Sequence, residues 1–180
     1  MPTGTCAGSA ALLALLALAA GCAALGGDRQ REVAGRTVAW HADDLQRFAR
    51  DAARSLVEAP AVAELVRPGG PGDGRLALFA EDWRGDERRA AAPRELLLRE
   101  LLASGRFRLV DEGSPATLVL RGALAPVRGA RAHSREWADG MSVTRRFLVE
   151  LEAAPTGGGA SAWGERSELR EVTLVRYLPR

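Results

Sequence analysis

Several residue types are scarce or missing, and their scarcity limits what the chain can be. The 180 residues contain no lysine, isoleucine or asparagine, two histidines, two cysteines, one tyrosine and 5% aromatic residues. All 25 basic residues are therefore arginines, set against 23 acidic residues, and the formal net charge is +2. So small a basic excess argues against a nucleic-acid-binding protein. The 47% hydrophobic content supports one domain with a core of its own.

The amino-terminal segment lacks both charge and the length needed to cross a bilayer. Residues 1–21 contain no charged side chain, and their apolar stretch ends at Cys22 in the letters "SAALLALLALAAGC". A spanning helix needs about 20 apolar residues, whereas this stretch has about ten. It is typical of the hydrophobic region of a cleaved signal peptide. We therefore expect residues 1–21 to be removed.

The last residues of that segment, "AAGC", end at Cys22 and resemble the lipobox of bacterial lipoproteins. The resemblance implies cleavage before Cys22, followed by attachment of diacylglycerol and an N-linked acyl chain such as palmitate. Each buried acyl methylene contributes about 0.8 kcal/mol, so three chains would hold the protein on a membrane. Ala23, where Asp would be unfavourable, suits sorting to the outer membrane of a proteobacterium, facing the periplasm. An ordinary signal peptide with an incidental cysteine is the alternative.

Cysteine use limits the chemistry of the folded part. Cys6 would leave with the signal peptide and Cys22 would be acylated, so no thiol remains for a disulfide, a metal site or a nucleophile. The glycine-rich segment 67–74 has neither the Lys-Ser/Thr pair nor the following helix of a phosphate-binding loop. We expect no metal and no cofactor.

The remaining chain divides into a tether and one domain. Residues 22–39 are small, polar and charged, and are interpreted as a lipidated cysteine with a short tether, which reaches about 55 Å when fully stretched. Residues 40–180 are interpreted as a single domain. Its first helix is predicted from Ala42, with Asp43 or Asp44 as the cap, and ends before Pro60. The apolar stripe of this helix consists of Leu45, Phe48, Ala49, Ala52 and Leu56.

A strand, a helix and a second strand are predicted next. "RLALFAEDW" is apolar on both faces and therefore predicts a central strand. "RGDERRAAA" is predicted to be a loop, followed by a helix that begins at Pro93 and ends at Gly105. Phe107 and Leu109 predict a strand parallel to the first. The buried stripe of the helix is predicted to consist of Leu97, Leu98, Leu101 and Leu102.

Three more strands complete the predicted sheet. They cover Ala116 to Val127, Met141 to Ala154 and Ala160 to Val172, with a hairpin turn at "PTGGGA" between the last two. The predicted fold class is α+β, a mixed sheet with two main helices packed on one face.

These elements resemble a known family. "DDLQRFARDAARSLVEAPAV", followed by the stretch from Gly74 to Glu112, looks like the penicillin-binding-protein activator lipoproteins of the LpoB family, which have a TolB amino-terminal-like fold. The best match is Arg94 to Asp111, and Trp163 lies where the family has a tryptophan after its last hairpin turn. This chain lacks the helix that the family inserts after Asp111, and it lacks a long proline-rich tether. The resemblance implies a non-enzymatic protein that activates a bifunctional penicillin-binding protein.

Three groups of polar residues invite an enzymatic interpretation. Each group also has a simpler explanation in helix capping, loop polarity or alternating surface charge, which we favour. The groups are His41 with Asp43 and Asp44 as a metal site, His133 with Ser134 and Asp139 as a triad, and Glu150 with Glu152 as a carboxylate pair.

An arginine-rich segment is the better candidate for a binding site. Arg131, Arg135 and Trp137 are predicted to bind a partner, because guanidinium groups pair with carboxylates or phosphates and an indole adds an apolar anchor. A solvated hairpin with nearby Glu136 and Asp139 is the alternative. The wider segment includes Arg121, Arg128, Arg145 and Arg146.

We therefore predict an envelope lipoprotein that is not an enzyme, that acts by contact with another protein and that does not bind nucleic acid. Activation or regulation of a peptidoglycan synthase is what the resemblance implies. The alternative is an accessory lipoprotein of another envelope assembly, transport or secretion complex.

Overall fold

A computed structural model describes residues 33–65 and 74–178 of the chain. The predicted signal peptide, Cys22, the first part of the tether and the glycine-rich segment up to residue 73 lie outside the described residues. The described residues form an α+β structure with one mixed sheet, so the predicted fold class is confirmed. The strands are β1 (Val33–Trp40), β2 (Leu76–Ala80), β3 (Arg84–Gly85), β4 (Phe107–Leu109), β5 (Leu118–Pro126), β6 (His133–Trp137), β7 (Gly140–Pro155) and β8 (Trp163–Tyr177). The helices are α1 (Ala42–Glu58), α2 (Pro60–Ala63) and α3 (Glu87–Ala103).

The sheet combines a parallel part with a larger antiparallel part. Its order is β1-β8-β7-β5-β2-β4, with β3 paired to β5 and β6 paired to β7. β2 is parallel to both β4 and β5, as expected for a central strand followed by a helical crossover. β1, β6 and β8 are antiparallel to their neighbours. Residues 110–117 join β4 to β5 without a helix, as the sequence indicated.

The core lies between the long helices and one face of the sheet. Side chains alternate along β5 and β7, so every second residue is buried beneath the helices. The central members of this layer are Leu118, Leu120, Leu124, Phe147, Val149 and Leu151. The helices contribute Phe48, Ala52, Leu56, Leu97 and Leu101.

Helix α1 buries the predicted stripe, but its capping prediction is wrong. Its N-cap is His41, whose side chain makes no capping hydrogen bond. Asp44 lies in the first turn and accepts from Arg170 of β8 instead, with Arg170 Nε to Asp44 Oδ2 at 2.6 Å and Nη2 to Oδ1 at 2.8 Å. The carboxylate therefore ties α1 to the sheet.

Helix α3 begins earlier than predicted, because Asp86 provides a cap within the segment interpreted as a loop. The Asp86 carboxylate accepts from the Arg89 N–H at 3.2 Å, and Pro93 lies inside the helix. Proline has no N–H to donate to the carbonyl four residues earlier, which is that of Arg89. The indole N–H of Trp40 donates to this Arg89 carbonyl at 3.1 Å. The contact from β1 thus satisfies the acceptor that Pro93 leaves open.

The end of α3 is as predicted, while its buried stripe is narrower. Gly105 follows the helix with a φ of 70°, the left-handed conformation that glycine adopts without a steric penalty. Leu97 and Leu101 are buried, Leu98 is half-buried, and Leu102 is 44% exposed. Leu102 is therefore not a core residue.

Two segments interpreted as irregular are strands. Residues 33–39, assigned to the tether, belong to β1, which pairs with β8 from Val33↔Tyr177 to Trp40↔Glu171. The segment around His133, interpreted as a loop, contains β6. Residues 34–39 and all of β6 are exposed, so neither segment has the apolar alternation of a half-buried strand.

A charge network around the buried carboxylate of Glu171 joins β8 and α3. Glu171 is 2% exposed, and its Oε1 accepts from Arg89 Nε at 2.6 Å. Arg89 Nη1 also lies 2.5 Å from Asp86 Oδ2, and its guanidinium lies 5.4 Å from the Phe147 ring centroid. Hydrogen bonding to Glu171 is the main cause of the raised pKa of Arg89. Trp40 meets Phe147 edge to face at 5.4 Å.

Replacing Trp40 with phenylalanine tests the link between β1 and α3. Trp40→Phe leaves the Arg89 carbonyl without a donor, because Pro93 cannot supply one, and we expect a loss of about 2 kcal/mol in the free energy of unfolding. Urea unfolding followed by circular dichroism measures it. Trp137→Phe is the matched control and should cost less than about 0.5 kcal/mol. Equal effects of the two substitutions would contradict the interpretation.

The Asp44–Arg170 pair makes stability depend on pH. The hydrogen bond from Arg170 lowers the pKa of Asp44, so the stabilisation is complete above the unfolded value of about 3.9 and is lost as pH falls through the folded pKa. Asp44→Asn should lower the free energy of unfolding by about 1 kcal/mol at neutral pH. The difference from the unsubstituted protein should shrink toward about pH 2. Urea unfolding across this range, with Asp43→Asn as control, measures it; a difference independent of pH would refute the assignment.

Candidate protein-contact surface

The β6–β7 hairpin places two of the predicted binding residues on one face of the sheet. Arg135 and Trp137 are two residues apart in β6, so their side chains point to the same side. Arg135 pairs in register with Ser142 of β7, and Ser142 with Leu174 of β8. Leu174, which the sequence did not single out, thereby joins the same face and is 43% exposed. We call Arg131, Arg135, Trp137 and Leu174 the hairpin surface.

Gly140 determines how Trp137 lies on the hairpin. The two residues pair in register, and a Cβ at position 140 would come within 2.9 Å of the indole and 2.5 Å of the Val175 carbonyl oxygen. The glycine therefore lets the ring lie against β7. Trp137 remains 40% exposed even so. An indole held by the strand and open to solvent loses little conformational freedom when a partner covers it.

Arg131 reaches this region from outside the strand. It lies in the connection between β5 and β6, two residues before β6 begins, and its side chain is exposed. Neither Arg131 nor Arg135 has an ion pair within the described part of the chain. Their charges are not compensated by neighbouring carboxylates.

Three other arginines of the sheet form ion pairs. Arg146 lies 3.3 Å from Glu168, and Arg121 lies 3.0 Å from Glu81, which raises the pKa of Arg121. Arg166 pairs with Glu150. Two members of the arginine-rich segment, Arg121 and Arg146, are thus engaged in surface pairs of the ordinary kind. Its other members, Arg128, Arg131, Arg135 and Arg145, have no ion pair within the described residues, and neither do exposed arginines of the helices such as Arg50 and Arg99.

The structure does not assemble the three enzymatic groups. His133 and Ser134 are consecutive in β6 and point to opposite faces, so they cannot form a nucleophile–base pair. Glu150 is occupied by Arg166, as expected of alternating surface charge. Asp44 is held by Arg170, and His41 Nδ1 lies 3.4 Å from its Oδ1. Among the described residues, no group of three His, Cys, Asp or Glu could hold a metal ion.

The ion pair between Arg89 and the buried Glu171 borders a cavity. A groove of about 820 Å³ lies between β1 and the first turns of α1 and α3. Glu171 was missed from the sequence, where it is one of several acids in the last strand. Its burial comes from pairing opposite Trp40, which no local pattern reveals.

The helices in the described part of the chain are too short or too polar to span a membrane.

Comparison with known proteins finds a distant structural similarity. No protein-family model and no curated protein matches the chain. Among solved structures, the chain is similar to the LpoB C-terminal domain from Salmonella enterica, over 61% of this chain and 93% of that one. The sequence identity is 15% and the TM-score is 0.32. At this sequence identity and TM-score, the similarity supports no conclusion about the function of the chain.

Proposed function

We propose that the protein is a non-enzymatic, lipid-anchored lipoprotein of the bacterial envelope that acts by binding another protein through the hairpin surface. The partner class we propose is a bifunctional penicillin-binding protein, whose peptidoglycan synthesis it activates or regulates. The observation that carries the binding proposal is an indole 40% exposed on an ordered strand, beside arginines that have no ion pair within the described residues.

The chemistry of the hairpin surface suits a protein partner. Tryptophan and arginine are the residues that most often dominate binding energy at protein interfaces. Trp137 and Leu174 offer apolar area that a partner can remove from water, at about 25 cal/mol per Å². Arg131 and Arg135 would select a partner with acidic groups around an apolar centre.

The penicillin-binding protein is proposed from sequence resemblance. The stretch from Arg94 to Asp111, a leucine-rich helix ended by glycine and followed by a strand, is its best-matching part. In the structure this stretch is scaffold: α3 packs on one face of the sheet, and β4 is the edge strand beside β2. The resemblance therefore supports the proposed class of protein, an activator of a penicillin-binding protein. The hairpin surface is proposed from the chemistry of its own residues.

Photo-crosslinking in the native envelope tests the surface and the partner together. Trp137→p-benzoylphenylalanine should capture a bifunctional penicillin-binding protein, identified by mass spectrometry. Adding Arg131→Glu and Arg135→Glu should reduce the yield at least about tenfold, since two favourable charge contacts become repulsive.

Matched controls distinguish specific binding at the hairpin surface from nonspecific crosslinking. The same crosslinker at the exposed Leu102 of α3 should not capture the protein, and charge reversal at the exposed Arg50 and Arg99 should leave the yield unchanged. Capture of a transport or secretion component would instead favour the alternative accessory function. Equal capture from positions 102 and 137 would refute the hairpin surface.

Lipidation of Cys22 has a direct test with an internal control. Cys22→Ala should abolish incorporation of labelled palmitate and release the protein from the membrane fraction, because the acyl chains are lost. Cys6→Ala removes the chain's other cysteine and should leave both properties unchanged. Retained labelling in Cys22→Ala would show that Cys22 is not the acylated residue.

A further inference from the structure

Strand β7 changes its neighbour partway along its length, and this leaves a gap in the sheet. β6 pairs with residues 140–144 of β7, whereas β5 pairs with residues 147–155. Between them, the Val127 N–H donates to the Arg146 carbonyl at 3.0 Å. The chain then turns away at Gly129, whose φ is 74°. We call residues 145–146 of β7, together with the connection 127–132, the β7 notch.

A cavity of about 310 Å³ opens at the β7 notch. One part of its lining is apolar and consists of the Phe147 ring with Pro126, Val127, Ala130 and Ala132. The other part is cationic and consists of Arg89, Arg145 and Arg146. Phe147 is 4% exposed and lies beneath the Arg89 guanidinium, so this part of the lining is fixed by the core.

Two of the three guanidinium groups retain free donors. Arg145 lies directly opposite Glu171 in register, yet Glu171 pairs with Arg89, and Arg145 has no ion pair within the described residues. Arg89 uses Nε for Glu171 and Nη1 for Asp86, while Nη2 has no hydrogen bond in the described part of the chain. Arg146 is paired with Glu168. Arg145 and Arg89 Nη2 are thus the donors that an incoming anion would find.

The β7 notch is continuous along the chain with the hairpin surface, although Arg145 and Trp137 lie on opposite faces of the sheet. Its connecting segment contains Arg128 and Arg131 and runs directly into β6, which contains Arg135 and Trp137. Arg128 has no ion pair within the described residues, so the loop adds positive charge around the cavity. A carboxylate would meet charge-assisted donors here, and a neighbouring apolar group would contact Pro126, Val127 and Ala132.

We infer that the β7 notch is a binding pocket for the carboxylate of an aspartate or glutamate side chain of a protein partner, with an adjacent apolar side chain against Pro126, Val127 and Ala132. This inference rests on the proposed function, because it supplies the chemistry of the partner's contacting segment. The carboxylate accepts from Arg145 and Arg89.

A pair of blocked peptides tests the pocket without knowledge of the partner. The probes are acetyl-Ala-Leu-Glu-Leu-Ala-amide and the same peptide with glutamine in place of glutamate, titrated into the isotope-labelled full chain in non-ionic detergent and followed by nuclear magnetic resonance. The glutamate peptide should produce saturable shifts at residues 126–132 and 145–147. Arg145→Gln should weaken its binding about tenfold, the change expected on losing one charge-assisted hydrogen bond. Arg99→Gln, at an exposed arginine of α3, should leave binding unchanged.

Each outcome bears on the pocket separately from the proposed function. Equal shifts with both peptides, no shift with either, or equal weakening by Arg145→Gln and Arg99→Gln would overturn the carboxylate pocket. Peptide binding at the notch together with failed capture from position 137 would keep the pocket and remove the proposed partner. Capture without peptide binding would do the reverse.

Discussion

The buried carboxylate of Glu171 is the constraint on which the arrangement of β1, β8 and α3 depends. A carboxylate that is 2% exposed has to be paired, and Arg89 pairs with it from the first turn of α3. That contact sets the position of α3, which in turn brings the carbonyl left open by Pro93 within reach of Trp40. Trp40 and the Arg89 guanidinium then cover Phe147 from two sides. One ion pair thus determines where the amino-terminal strand, the main crossover helix and the centre of the sheet meet.

The same pairing explains why positive charge remains available nearby. Arg145 lies opposite Glu171 on the neighbouring strand, where a cross-strand ion pair would ordinarily form. Arg89 binds Glu171 Oε1, Oε2 has no hydrogen bond, and Arg145 forms no ion pair within the described residues but lines the adjoining cavity. Farther along the open face, Arg166 and Arg146 are neutralised by Glu150 and Glu168. Arg135, which shares a face of the sheet with Trp137, and Arg145, on the other face, are left without an ion pair within the described residues.

Elements with strong local signals could be predicted, and elements defined by distant partners could not. Leucine spacing, Gly105 and the apolar runs predicted α1, most of α3 and the parallel strands, because those signals act within a few residues. β1 and β6 escaped prediction because they are exposed edge strands stabilised by hydrogen bonds to β8 and β7. The position of Pro93 within α3 was predicted wrongly for a related reason. A proline inside a helix is costly unless another group donates to the carbonyl that it leaves open. Here that carbonyl belongs to Arg89 and its donor is Trp40, 49 residues before Arg89 in the sequence. Gly122 is similar, since a Cβ there would lie 2.5 Å from the Trp83 indole, a contact invisible in the sequence.

For the candidate site, the sequence identified the residue types but not their grouping. Arg135 and Trp137 share a face because β6 is extended, and Leu174 joins them only through the β7–β8 register.

The inclusion of residues 33–39 in β1 shortens the proposed tether between Cys22 and the domain. With residues 33–39 in the sheet, the chain between Cys22 and Val33 reaches about 40 Å at most, where the longer tether would have reached about 55 Å. β1 begins opposite Tyr177 and Arg176, and Arg176 is in register with Gly140 beside Trp137. The tether therefore leaves the domain at the end that carries the hairpin surface, so an anchored protein would hold that surface close to its membrane, and a partner would have to approach there.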